Sequence, residues 1–208
     1  MGELTKVLVV DDHKSMRSFI EKEITPEYGF TVVESTGCAS EAEALCTLTL
    51  PDLIIMDVCT EHGASGLDAT AKILKRFPEI KIIVTSGFDE VTYMPRAKEI
   101  GAHSFVYKIN GGDQYRDAAM RVMNGEYVFP ERKTIPLPQG ETPFTEREME
   151  VLCLLCKCMT SQEIATELNI SKKTVQRHME NMEQKAGVKS SVELMTYVLS
   201  NGWVNPNY

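Results

Sequence analysis

No apolar run in the sequence approaches the roughly 18 to 20 residues that a membrane span needs. No Gly-x-Gly-x-x-Gly follows the first apolar segment, which removes the dinucleotide-binding fingerprint. Positive charge is short: 22 Lys and Arg against 30 Asp and Glu leave a net charge of −8. That excludes a protein coating nucleic acid by bulk charge, so any polyanion must be met by a local patch. There is no sign of a disulfide framework either. Cys38, Cys46, Cys59, Cys153, Cys156 and Cys158 lie mostly inside apolar helical patterns, where reduced thiols pack as small hydrophobes. The opening MGELTKVLVVDD turns acidic where a secretory signal stays apolar, and the expected location is cytoplasmic.

What is present is organised around Leu53 to Asp57 (LIIMD), four bulky apolar residues that end on a carboxylate. Such a run suits a strand covered on both faces. Apolar runs and helical patterns alternate on either side of it. Strands are expected at Lys6 to Val10, Phe30 to Glu34, Leu53 to Asp57, Ile80 to Thr85 and Ser104 to Tyr107. Helices are expected from about Met16 to Ile24, Ser40 to Leu48, Leu67 to Phe77, Glu90 to Ile100 and Asp113 to Met123. Parallel neighbours need right-handed crossover helices, so the pattern predicts a doubly wound five-stranded parallel α/β sheet. In such sheets the ligand crevice lies outside the carboxyl ends of the strands.

The strand ends carry chemistry. The first ends in Asp11 and Asp12, the third in Asp57, the fourth in Thr85 and Ser86, and the fifth in Lys108. Crowded carboxylates repel unless a hard cation sits among them, and Mg²⁺ favours oxygen ligands. A phosphoryl group on one carboxylate would use the whole set, its charge offset by the cation and Lys108 and met by a Ser86 hydrogen bond.

These residues resemble the receiver domain of two-component response regulators, over residues 4 to 124. The resemblance implies a flavodoxin-like fold in which Asp57 accepts a phosphoryl group from a sensor histidine kinase. It implies Mg²⁺ held by Asp12, Asp57 and the backbone carbonyl of Cys59, with Asp11 acting through water, and Ser86 and Phe105 as the switch pair. Thr60 and Glu61 stand where the family usually has Met and Pro, one extra residue precedes Gly66, and Ile109 follows Lys108 where Pro is frequent. Glu61 and His62 are read as a solvated loop, with entry into the acidic pocket as the alternative. One alternative is an aspartyl phosphotransferase of the haloacid dehalogenase type, which expects a second Asp two residues after the nucleophile, where this chain has Cys59. Another is a receiver whose pocket no longer takes phosphate.

Residues 125–143 hold four of the chain's prolines and read as an extended linker between a domain over 1–124 and one over 144–208. In the second, Thr145 with Glu148, Thr160 with Glu163 and Ser190 with Glu193 have capping-box spacing, and Ser171 is a further N-cap. Four helices are expected near 146–158, 161–168, 172–186 and 191–200, the middle pair close enough for a helix-turn-helix. Residues 145–208 hold 8 acids and 7 bases, a charge of −1, while 171–189 hold five bases and two acids, a local +3. Lys172, Lys173, Thr174, Gln176, Arg177, Glu180, Asn181 and Lys185 are the candidate DNA-contacting residues. TEREMEVL, EIATELNISKKTVQRH and NMEQKAGV resemble the LuxR-type helix-turn-helix domain, with Cys158 in place of a turn glycine and Ser191 in place of a frequent Arg. The resemblance implies a dimer on a DNA duplex. A plain helical domain or a protein-docking module is the alternative. Cys153, Cys156 and Cys158 mimic a metal motif, but helical spacing points them apart. The expectation is a non-enzymatic regulator of the LuxR or NarL type.

Overall fold

The computed structural model describes residues 3–87, 91–108, 113–131, 134–138 and 141–205. The chain divides into two compact units, residues 1–87 with 93–131 and residues 88–92 with 132–208.

The first unit is built on β1 (Thr5–Val10), β2 (Phe30–Thr36), β3 (Leu53–Asp57), β4 (Lys81–Ser86) and β5 (Ser104–Tyr107). All neighbours are parallel, in the order β2-β1-β3-β4-β5. The connecting helices are α1 (Lys14–Glu23), α2 (Ala39–Thr49), α3 (Gly66–Arg76), α4 (Tyr93–Glu99) and α5 (Gln114–Met123). Every residue of β3 is buried, as a central strand covered on both faces requires. Register places Asp57 opposite Thr85 and Ser86 opposite Tyr107, so the polar strand ends line one edge of the sheet. That edge lies where β1 has neighbours on both sides and the winding reverses, the usual place for a crevice.

Three details differ from the sequence pattern. β2 carries a bulge at Val33, where register steps from Val7↔Val32 to Leu8↔Glu34. Two single-turn 3₁₀ helices, Pro26–Tyr28 and Glu61–Gly63, are too short to leave any periodicity. The start expected for α4 at Glu90 lies outside the described residues, and the described helix begins at Tyr93.

The second unit holds α6 (Glu146–Cys156), α7 (Ser161–Glu167), α8 (Lys172–Ala186) and α9 (Ser191–Ser200). Thr145 with Glu148 and Thr160 with Glu163 form complete capping boxes. The third expected box is only half made: Ser190 accepts from the Glu193 amide, but the Glu193 carboxylate accepts from the Lys189 amide instead of its own cap. Val151, Leu152, Ile164, Val175, Met182, Leu194 and Val198 form the core of this bundle. Trp203 packs against it, edge-on to Tyr197 at 5.0 Å.

The stretch 125–143 is shared between the units. Val128 bridges to Ser104 and exchanges backbone hydrogen bonds with His103 and Phe105 in the first. Ile135 joins the second core, where the Tyr197 hydroxyl donates to the Pro136 carbonyl.

Candidate functional site

At the sheet edge Asp11 is 0% exposed and Asp57 3% exposed. The Lys108 ammonium reaches both, 2.7 Å from Asp11 Oδ2 and 2.7 Å from Asp57 Oδ2. Burial pushes the Asp57 carboxyl up to about 7; Lys108 pulls it down and Asp11 pushes it up again. Burial works against the Lys108 charge, yet Asp57 and Asp11 outweigh it and raise that ammonium above its ordinary value. Asp11, Asp12, His13 and Asp57 bring one ligand atom each within 4.8 Å of one another. Three carboxyl groups thus share one ammonium in a mostly buried pocket. Such an oxygen-rich, anionic donor set fits Mg²⁺.

Sequence reasoning did not single out His13 or Arg17. His13 donates its amide to Asp11 Oδ1 at 2.9 Å, and its Nδ1 lies 2.5 Å from Asp12 Oδ1. Arg17 donates to the Asp11 carbonyl at 2.6 Å. Only the short spacing DDHxxxR hinted that these side chains would fold back on the first loop.

Ser86 is buried at the end of β4, and Phe105 is buried edge-on to Tyr107 at 5.0 Å. The loop after Asp57 is ordered by its own contacts. Thr60 Oγ1 accepts from the Ala39 amide and donates to the Ala64 carbonyl, Cys59 pairs with Ser65, and the Glu61 amide donates to the Gly37 carbonyl. Glu61 and His62 are exposed and stand outside the acidic group. Cys59 Sγ lies 3.7 Å from the Tyr93 hydroxyl. Gly66 permits the close approach of α3: a methyl group there would run into the backbone carbonyl of Asp57.

In the second unit α7 and α8 are joined through Asn169, at φ 51°, and Ser171, whose hydroxyl accepts from the Thr174 amide at 3.0 Å. The buried side of α8 is Val175, Met182 and Ala186. Lys172, Lys173, Gln176, Arg177, Glu180 and Asn181 are exposed on the other side, and Ser171, Lys173, Thr174, Gln176, Arg177 and Glu180 line a shallow concavity. Thr174 is half-buried in the cap. Lys185 is placed differently from these bases. Its ammonium meets the buried Glu148 carboxylate at 2.8 Å and the Pro143 carbonyl at 3.4 Å. Its side chain is largely buried against α6 by this pair. Cys153, Cys156 and Cys158 form no metal group among the described residues, and burial pushes the Cys156 thiol up to about 12.

Among the described residues no helix is long and apolar enough to cross a membrane. The family model of the response regulator receiver domain matches residues 7–119, and that of bacterial regulatory proteins of the luxR family matches residues 142–198. The chain is 31% identical over 206 residues to the response regulator protein VraR of Staphylococcus aureus, covering 96% of this chain and 98% of that one. A two-component response regulator of the LuxR family from Aurantimonas sp. is similar at 26% identity and a TM-score of 0.56, over 60% of this chain and 89% of that one. The RcsB response regulator of Salmonella typhimurium shares the fold, with a TM-score of 0.63 at 21% identity, over 96% of this chain and 100% of that one. With a receiver match over the acidic pocket and a luxR match over the helix-turn-helix, the chain belongs to the response regulators of the LuxR family.

Proposed function

We propose that this regulator is switched at Asp57 by a histidine kinase and acts on DNA through α8. The observation that carries the first half is the Asp57 carboxylate, buried and 2.7 Å from Lys108 at the end of β3. In the transfer the N–P bond of a phosphohistidine breaks, its electron pair returns to the imidazole, and a new P–O bond forms to an Asp57 oxygen. Lys108 offsets the phosphoryl charge, and the Ser86 hydroxyl donates to it. Asp12, Asp57 and the Cys59 carbonyl would hold Mg²⁺ directly and Asp11 through water, where the ion supplies Lewis-acid neutralisation of the phosphoryl oxygens. Phe105 is the aromatic partner whose position follows Ser86, and the switch works to the extent that phosphorylation stabilises one arrangement over the other.

The second half rests on the exposed bases of α8, Lys172, Lys173 and Arg177, in a chain of net charge −8. Lys172 and Lys173 address phosphates, and Gln176, Arg177, Glu180 and Asn181 face base edges. The chain acts as a cytoplasmic homodimer on a duplex and is not an enzyme. A solved structure of RcsB, whose fold it shares, holds two RcsB dimers bound to two parallel DNAs.

The test is intact mass and peptide mapping after incubation with Mg²⁺ and a small acyl phosphate donor, with Asp57→Asn as control. A base-labile phosphoryl group on Asp57, absent from the variant and from metal-free samples, is the expected result. A folded wild-type chain that takes no phosphoryl group would refute the switch and leave a DNA-binding protein regulated otherwise.

A further inference from the structure

The DNA-facing side of α8 contains one residue that bulk electrostatics opposes. Glu180 is exposed in the same concavity as Lys173, Gln176 and Arg177, one helical turn beyond Gln176 and Arg177. Among the described residues no hydrogen bond or ion pair engages its carboxylate, although Arg177 is three residues away and Glu183 does find a partner, Ser191. The caps of α8 are Ser171 and Gly187, so Glu180 has no capping role there.

Resting on the reading of α8 as the recognition helix, we propose that Glu180 is a specificity-determining residue that reads an exocyclic amino group, that of cytosine or adenine, in the major groove. A carboxylate is an acceptor only, and near a duplex it is repelled by phosphates. Only a hydrogen-bond donor can make its burial there tolerable. In the major groove cytosine N4 and adenine N6 are the only base donors, whereas guanine and thymine present acceptors. Arg177 beside it has the opposite requirement and is matched by the acceptor edge of guanine. The pair therefore reads adjoining positions with opposite polarity. Glu180 lowers affinity for duplexes in general, and its effect is discrimination at one base pair. In a domain whose charge is already −1, a further loss of indiscriminate binding sharpens the contrast between site and background.

The experiment is selection of bound duplexes from a randomised pool by the full-length chain, followed by titration of the selected site and its single-base variants. Wild type, Glu180→Ala, Glu180→Gln and Arg177→Ala are compared, with thermal melting to verify folding. For wild type, one position should require cytosine or adenine on a given strand, with guanine or thymine there weakening binding about 10- to 100-fold. In Glu180→Ala that penalty should fall to about threefold or less, while affinity for random duplex rises and the other positions keep their preferences. Glu180→Gln, which both donates and accepts, should relax the same position. Intact binding with unchanged preference at every position in Glu180→Ala overturns the proposal alone. Absence of duplex binding by wild type, or binding indifferent to Arg177→Ala, overturns the recognition-helix reading and this proposal with it.

Discussion

At the scale of single residues, backbone conformation and close approach decide more than charge does. Gly66 is the clearest case. A Cβ there would fall 1.8 Å from the Asp57 carbonyl oxygen, so Gly66→Ala forces α3 away from the end of β3. The variant should lose about 2–3 kcal/mol of stability, read from the urea midpoint, with weakened phosphoryl uptake. Cys158 adopts φ 62°, the left-handed region that disfavours a Cβ, in the turn that follows α6. Cys158→Gly should stabilise the second unit by about 0.5–1 kcal/mol, measured by urea unfolding followed by Trp203 fluorescence. His103 is buried with its Nδ1 accepting from the Ile82 amide at 3.2 Å, Lys81 Nζ 3.4 Å from Nε2, and the Tyr127 ring stacked on it. Burial, and then Lys81, hold its pKa below the ordinary 6.5. The unfolded chain therefore binds a proton first on acidification. The stability due to neutral His103 is full above pH 6.5 and is lost as pH falls from there through the lowered folded value. His103→Gln should flatten the slope of melting temperature against pH in that window. Of these three features, the sequence hinted only at Cys158, through the missing turn glycine; a lone His in a strand-end pattern carries no mark of its partners.

At the scale of elements, strands and helices were legible because apolar periodicity is strong where both faces of a sheet are covered. The ends of the first, third, fourth and fifth strands, the last at Lys108, could be assembled for the same reason: each terminates a run. What escaped was the direction of long side chains. Lys185 reads as one more base of a positive helix, yet it belongs to a pair with Glu148, which is 3% exposed and is held by the Thr145 cap as well. Burial raises the Glu148 pKa, but the Lys185 and Thr145 hydrogen bonds outweigh it and leave the carboxyl below its ordinary value. Lys185→Ala should cost about 2 kcal/mol in the second unit and leave the salt dependence of duplex binding unchanged. Lys172→Ala and Lys173→Ala should each reduce the slope of log K against log salt by about 0.9 with little loss of stability. Measuring both quantities for all three variants separates a staple from phosphate contacts. The half-made cap at Ser190 escaped for a related reason: spacing alone cannot say whether Glu193 takes the Ser190 or the Lys189 amide.

At the scale of the whole molecule, two compact units share the prolines of 125–143. Composition marked a boundary there but could not reveal that Val128 completes the first unit while Ile135 fills the second, because one or two anchoring apolar residues leave no periodic trace. The excess of acid over base is carried mainly by residues 1–144, with 22 acids and 15 bases, so the face of α8 is a small basic island. Trp203 has a use that follows from its solitude. It is the chain's one tryptophan, seated against Tyr197 in the second unit, while Asp57 lies in the first. Light absorbed at the red edge of the protein band is re-emitted from one unit only, so the chain carries an intrinsic optical gauge in the unit that does not hold Asp57. A shift of that emission when acyl phosphate and Mg²⁺ are added, absent in Asp57→Asn, would time the signal's passage between the units without a dye.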